Sequence, residues 1–260
     1  MKKSIALIMI LVMMTGLCGT VSATGEEPVT QDVWASYTEG TDGRTVISID
    51  ISWEQMSFTY AGASSPAWDP EKHRYEGETT EGGWVPGAGL ITIQNNSNTI
   101  LQASIRYEQE TAFDSVDMRF TDRNPYIGSA YTEDRTDDAG NPCGTPCRIA
   151  VKTIPVGTLS EETGESAKIG TVSVTVDTVA DPVAMLDALN ERIDLYPPAD
   201  GTTLERGEVC FATGTDTQHL YALTEAALAA CKNEELTEAE KNCAINKALT
   251  AFYGALDLAR

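Results

Sequence analysis

Positive charge is scarce in this chain: 18 Lys and Arg stand against 39 Asp and Glu, a formal net charge of −21. So acidic a surface repels nucleic acid and anionic lipid, and nucleic-acid binding is disfavoured. Histidine is scarcer still, with only His73 and His219, and neither stands beside a cysteine pair with zinc-site spacing. No His-Glu-x-x-His motif and no Gly-rich phosphate loop before a helix occurs. No serine sits on a Gly-flanked elbow, and the nearest nucleophile–base pair, Cys147 with His73, competes with the adjacent Cys143 for the same sulfur. A glycosidase needs two carboxylates at a set separation, and 39 acids allow any pair to be nominated, which is no signal. Asp134, Asp137 and Asp138 precede Gly140 without the distal bidentate Glu of a calcium loop, and read as a solvated acidic loop. No catalytic residue, metal ligand or cofactor is therefore expected.

Long apolar runs are also missing, apart from the one between Ile5 and Leu17. It follows Lys2-Lys3, is shorter than the roughly 20 residues that span a bilayer, and leads to Val21-Ser22-Ala23. These are the parts of a secretory signal peptide, residues 1–23, with cleavage expected after Ala23. Cys18 raises lipidation as an alternative, against which stands the bulky Leu17 before it. After cleavage no transmembrane segment is expected, and the destination is secretion or the cell envelope. Cys143, Cys147, Cys210, Cys231 and Cys243 then remain, and in an exported chain they read as disulfide candidates. Cys143 and Cys147 could close a small loop, and two of the other three could staple the C-terminal region.

What is abundant is two-residue alternation. Ile47, Ile49, Ile51 and Trp53 share one parity, and Met56, Phe58 and Tyr60 share the next, so a bulge or a new strand falls near Glu54-Gln55. Further strands are expected over 90–94, 100–107, 116–120, 149–154 and 169–176, parted by turns such as Asn95-Asn96-Ser97-Asn98. After Val176 the period becomes helical. Asp181-Pro182 starts a helix that stops at Pro197-Pro198, a second runs over 217–232, and Thr237-Glu238-Ala239-Glu240 is the capping box of a third. The narrow stripes of the last two predict a hairpin, at about 217–256, that docks on itself or a partner rather than on a large core. Pro197 to Gly201 reads as the linker. The fold expected is mainly β: after an N-terminal extension (24–44), an antiparallel Ig-like β-sandwich (45–177) followed by a small helical C-terminal region (178–260).

The series Ile51-Ser52-Trp53, Met56-Ser57-Phe58-Thr59-Tyr60, Trp68-Asp69-Pro70, Gly83-Trp84, Ile91 to Asn98 and Lys168 to Val174 resembles a group of uncharacterised secreted surface proteins of clostridia-like Gram-positive bacteria. The resemblance covers residues 45–177 and implies an all-β envelope module without catalytic residues.

Trp68, Tyr75 and Trp84 lie among Pro and Gly, where burial is not dictated, and are the candidate ligand-binding rings, because exposed aromatic faces stack on sugars and other flat apolar surfaces. Loop packing is the competing role for both tryptophans, whereas Trp53 belongs to the core parity. His73 reads as a turn residue. The expectation is a non-enzymatic secreted or cell-surface protein serving in adhesion, matrix or ligand binding, with an envelope polymer, a glycan or another surface protein as partner. The alternatives are a secreted carbohydrate-active enzyme and a protein that oligomerises or binds partners through its C-terminal helices.

Overall fold

A computed structural model describes residues 33–34, 45–54, 56–130, 145–159, 166–200 and 203–260. The expected signal peptide, most of the N-terminal extension, the acidic loop around Asp134 to Gly140 and Cys143 lie outside the described residues.

Strand outweighs helix. One four-stranded sheet takes the order β1 (Val33–Trp34), β12 (Gly170–Thr178), β8 (Leu101–Gln109), β10 (Tyr126–Ile127). All its pairings are antiparallel except that of β1 with β12. The second takes the order β2 (Ile49–Glu54), β7 (Gly89–Asn95), β11 (Cys147–Gly157), β9 (Val116–Phe120), antiparallel throughout. Alternation makes these strands: in β8, Leu101, Ala103 and Ile105 are buried while their neighbours are not, and in β12 Val172, Val174 and Val176 do the same. The alternation fails in β11 around Thr153 to Pro155, all buried.

Three helices follow, α1 (Pro182–Leu195), α2 (Thr217–Lys232) and α3 (Glu238–Ala255), the first and third starting at the expected caps and the second over the expected helical period. The Asp181 carboxylate accepts from the amides of Val183 and Ala184, and Thr237 and Glu240 complete their reciprocal box. A small antiparallel pair, β13 (Val209–Phe211) with β14 (Leu256–Leu258), ties the end of the chain back.

Two expectations about this tail are corrected. The α2–α3 hairpin does not stand apart: Leu220, Ala227, Ile245, Leu249 and Phe252 belong to the same buried cluster as Ile93, Ile105, Ile149 and Val174 of the two sheets. The stripes looked narrow because alanines fill them, yet buried Ala227 and Ala248 let the helix backbones come close, and Phe252 and Tyr253 supply the bulk. Nor is the stretch after Pro197 a free linker. Ala199 N–H donates to the Phe211 carbonyl and Phe211 N–H to the Pro197 carbonyl, while Tyr196, Phe211 and Phe252 pack their rings together. Gln31–Arg260 is one compact unit.

Two buried polar groups organise the core. Asn95, at the end of β7, donates its amide to the carbonyls of Thr99 and Gly128 (both 2.9 Å) and accepts from Ser97 N–H (2.8 Å), which fixes the expected turn and fastens β10 beside it. Asp122, just past β9, takes a two-pronged ion pair from Arg192 of α1, at 2.6 and 2.9 Å.

Candidate functional site

Between β2 and β7 the chain leaves the sheet and returns as a two-stranded arm. Its rungs are Tyr60–Ala61 (β3) with Gly83–Trp84 (β6), a bridge between Ser64 and Thr80, and Ala67–Asp69 (β4) with Arg74–Glu76 (β5). From Ala61 to Glu81 every residue but Pro66, Asp69 and Glu76 is exposed. Nine residue steps from Tyr60 to Asp69 make the arm about 30 Å long.

The tip follows from its sequence. Asp69 Oδ1 accepts from the amides of Glu71 (2.9 Å) and Lys72 (3.1 Å), Pro70 presets the turn, and His73 adopts the left-handed conformation (φ 49°), as its reading as a turn residue anticipates. Lys72 Nζ lies 2.7 Å from Glu76 and 3.3 Å from Asp69, and Arg74 Nη2 lies 2.6 Å from Glu76. The backbone amides of Lys72 and Glu71 hold the Asp69 carboxyl below its ordinary value, and Lys72, then Arg74, do so for Glu76. An isolated two-stranded hairpin is marginal in water, so these contacts and the ring pair beside them hold the tip.

That ring pair is Trp68 with Tyr75, directly opposite one another, centroids 5.2 Å apart and planes at 66°. They are 51% and 69% exposed, the most accessible aromatic rings of the described chain. A bulge brings them together. From the Ser64–Thr80 bridge to the Ala67–Glu76 pair, the first strand advances three residues and the second retreats four. The extra residue falls beside Gly77, whose φ of 102° suits glycine. Unbroken register would have set Glu76 opposite Trp68.

Of the three rings expected to bind, Trp84 is the correction. It is only 7% exposed, its indole N–H donates to the Gly157 carbonyl (2.9 Å), and Tyr60 meets it edge-on at 5.2 Å. Gly157 has φ 88°, and a Cβ there would fall 1.8 Å from the Ser115 carbonyl oxygen, so only glycine lets the strand pass and offer that carbonyl. Trp84 is the arm's root. Trp53 is half-buried against the core, as expected.

The disulfide expectation is not met among the described residues. Cys147 is buried near Gly128 and Thr250, Cys210 lies against the Asp257 carbonyl, and Cys231 sits near Lys241 and Glu238, so these three thiols have different neighbours. Burial pushes all three up. Cys243 lines a cleft between α2 and α3 with Leu223 and Ala244.

The carboxylates at the tip carry a pH signature. Because the folded tip holds Asp69 and Glu76 below their ordinary values of 3.8 and 4.5, their contribution is present above those values and is lost as pH falls through the lower folded ones. The Trp68 fluorescence, isolated as the difference between the chain and Trp68→Phe, is expected to hold steady down to about pH 4 and change below it. A transition centred above 4.5 would contradict this arrangement.

Comparison of the chain with protein-family models, with curated proteins and with solved structures finds no match.

Proposed function

We propose that this chain is an exported, non-enzymatic protein of the cell surface or its matrix, which holds a ligand of the envelope on the ring pair at the tip of its arm. The observation that carries the reading is the exposure of Trp68 and Tyr75, set side by side by a bulge, about 26 Å along the arm from its root. Aromatic surface is costly to leave in water, and an exposed pair on a projecting element fits a contact surface better than a core remnant. The Lys2-Lys3 head and the apolar run to Leu17 support export. The two four-stranded sheets with a shared buried cluster support the finer reading of an Ig-like sandwich as the scaffold. Action through the C-terminal helices loses support because their apolar stripes are spent on the core.

The test is retention of the purified chain on insoluble cell-envelope material and on immobilised glycans. Trp68→Ala with Tyr75→Ala is expected to weaken retention at least tenfold while leaving the melting temperature unchanged. Retention that survives the double substitution would end the proposal.

A further inference from the structure

Resting on that reading, we infer that the ligand is an uncharged, hydroxyl-rich glycan chain lying lengthwise along one face of the arm, from the Trp68–Tyr75 rings past the Ser64–Thr80 hydroxyls to Gly62. Tyr60, Gly62, Ser64, Pro66 and Trp68 share one parity of the first strand, and Ser64 and Trp68 lie opposite Thr80 and Tyr75 on the second. The bulge therefore does more than pair two rings. It keeps rings and hydroxyls on one face and sends Asp69, Arg74 and Glu76 to the other, where they neutralise one another with Lys72. Glu78 adjoins the strip, its backbone carbonyl accepting from Ser64 Oγ at 3.4 Å.

On a chain of net charge −21, a strip of rings and hydroxyls is out of keeping with its surroundings. A polyanion would be repelled by the protein as a whole, and a polycation would be drawn to the acidic surface everywhere rather than to this face. A neutral glycan matches it: its C–H faces stack on the rings, and its hydroxyls donate to Ser64 Oγ and Thr80 Oγ1, which stand 2.7 Å apart, have their own protons engaged with each other and with the Glu78 carbonyl, and keep lone pairs for a partner. Ser64 and Trp68 are four residues, about 13 Å, apart along the strand, so the ligand is a chain and not a single sugar.

Gly62 supplies an independent observation. A Cβ there would meet nothing within 4 Å, and its φ is not in the left-handed range, so neither crowding nor backbone conformation requires glycine. A bare, exposed position just past β3 is what close approach of a ligand needs.

The experiment is affinity electrophoresis of the full chain through gels containing a neutral glucan, a neutral galactomannan, polygalacturonate or dextran sulfate, at low and high salt. The expected result is retardation by a neutral polysaccharide that salt leaves unchanged. Ser64→Ala with Thr80→Val is expected to weaken it about fivefold, and Gly62→Val more than tenfold without a change in melting temperature. Full binding by Gly62→Val and by the hydroxyl variant, with loss in Trp68→Ala, would overturn the lengthwise glycan and leave the ring reading standing. So would salt-sensitive binding to the charged polymers alone, or dimerisation that Trp68→Ala abolishes. Binding untouched by Trp68→Ala would remove both.

Discussion

Replacing Arg192 by Met is expected to cost the fold about 3–5 kcal/mol, seen as a lowered midpoint in urea at an unchanged slope. Asp122 is only 3% exposed at its side chain, and besides the two bonds from Arg192 it accepts the Asn124 amide at 2.8 Å. Without the guanidinium the carboxylate stays buried as a lone charge with only the Asn124 amide and the neutral Tyr253 hydroxyl beside it, and a charge in that position cannot be resolvated without opening the contact between α1 and the end of β9. The cluster reaches further. Tyr253 of α3 lies 3.5 Å from Arg192 through its hydroxyl, which also accepts the Tyr126 amide at 2.8 Å. Burial, foremost, raises that phenol well above its ordinary value, so it stays neutral at ordinary pH. Arg192→Lys is expected to fall between, because an ammonium cannot reproduce the fork. Asp122→Leu combined with Arg192→Met should recover much of the loss, since no lone charge then remains. If Arg192→Met alone left the midpoint within about 0.5 kcal/mol of the parent, the pair would not be the clasp described.

Trp84→Ala is expected to destabilise by a similar about 3–5 kcal/mol, as befits removal of a buried indole that cannot be refilled by its neighbours. Trp84→Phe, which keeps a ring against Tyr60 but leaves the Gly157 carbonyl without its indole donor, should cost only about 1 kcal/mol. Both tryptophans sit on the same arm and on the same kind of cross-strand pair, yet truncating Trp68 removes surface already in water and should leave global unfolding unmoved. Equal midpoints for Trp84→Ala and Trp68→Ala would contradict the division of the arm into root and tip.

Much of what is local in this fold is legible in the sequence, although the short strands Ala67–Asp69 and Arg74–Glu76 of the arm carry no such signal. Asp181-Pro182 and the Thr237–Glu240 box begin their helices where short-range hydrogen bonds say they must, and alternating isoleucines and valines make strands because a pleat has a period of two. Trp68 and Tyr75 were legible as candidates, seven residues apart around a Pro-led turn. What escaped depends on residues far apart. The fate of Trp84 is decided by Gly157, 73 positions on, and Gly157 itself answers to the Ser115 carbonyl. Asp122 and Arg192 are 70 positions apart, and nothing around either marks it as buried. The bulge is intermediate. Gly77 and Pro66 hint at irregularity, but only the pairing on both sides reveals that one strand is a residue longer and that the rings, not a carboxylate, meet. The packing of the helical tail is hidden in the sequence because alanine reads as indifferent in a stripe, while in the packed molecule Ala227 and Ala248 join the shared buried cluster.

The arm's legs continue into β2 and β7, which are hydrogen-bonded neighbours running in opposite directions. A tug on the tip is thus conveyed down both legs and along the length of these strands, not across them. Because the ladder bonds lie perpendicular to the strands, the seven-residue register between β7 and β11 is loaded in shear, with its rungs sharing the force instead of parting one by one.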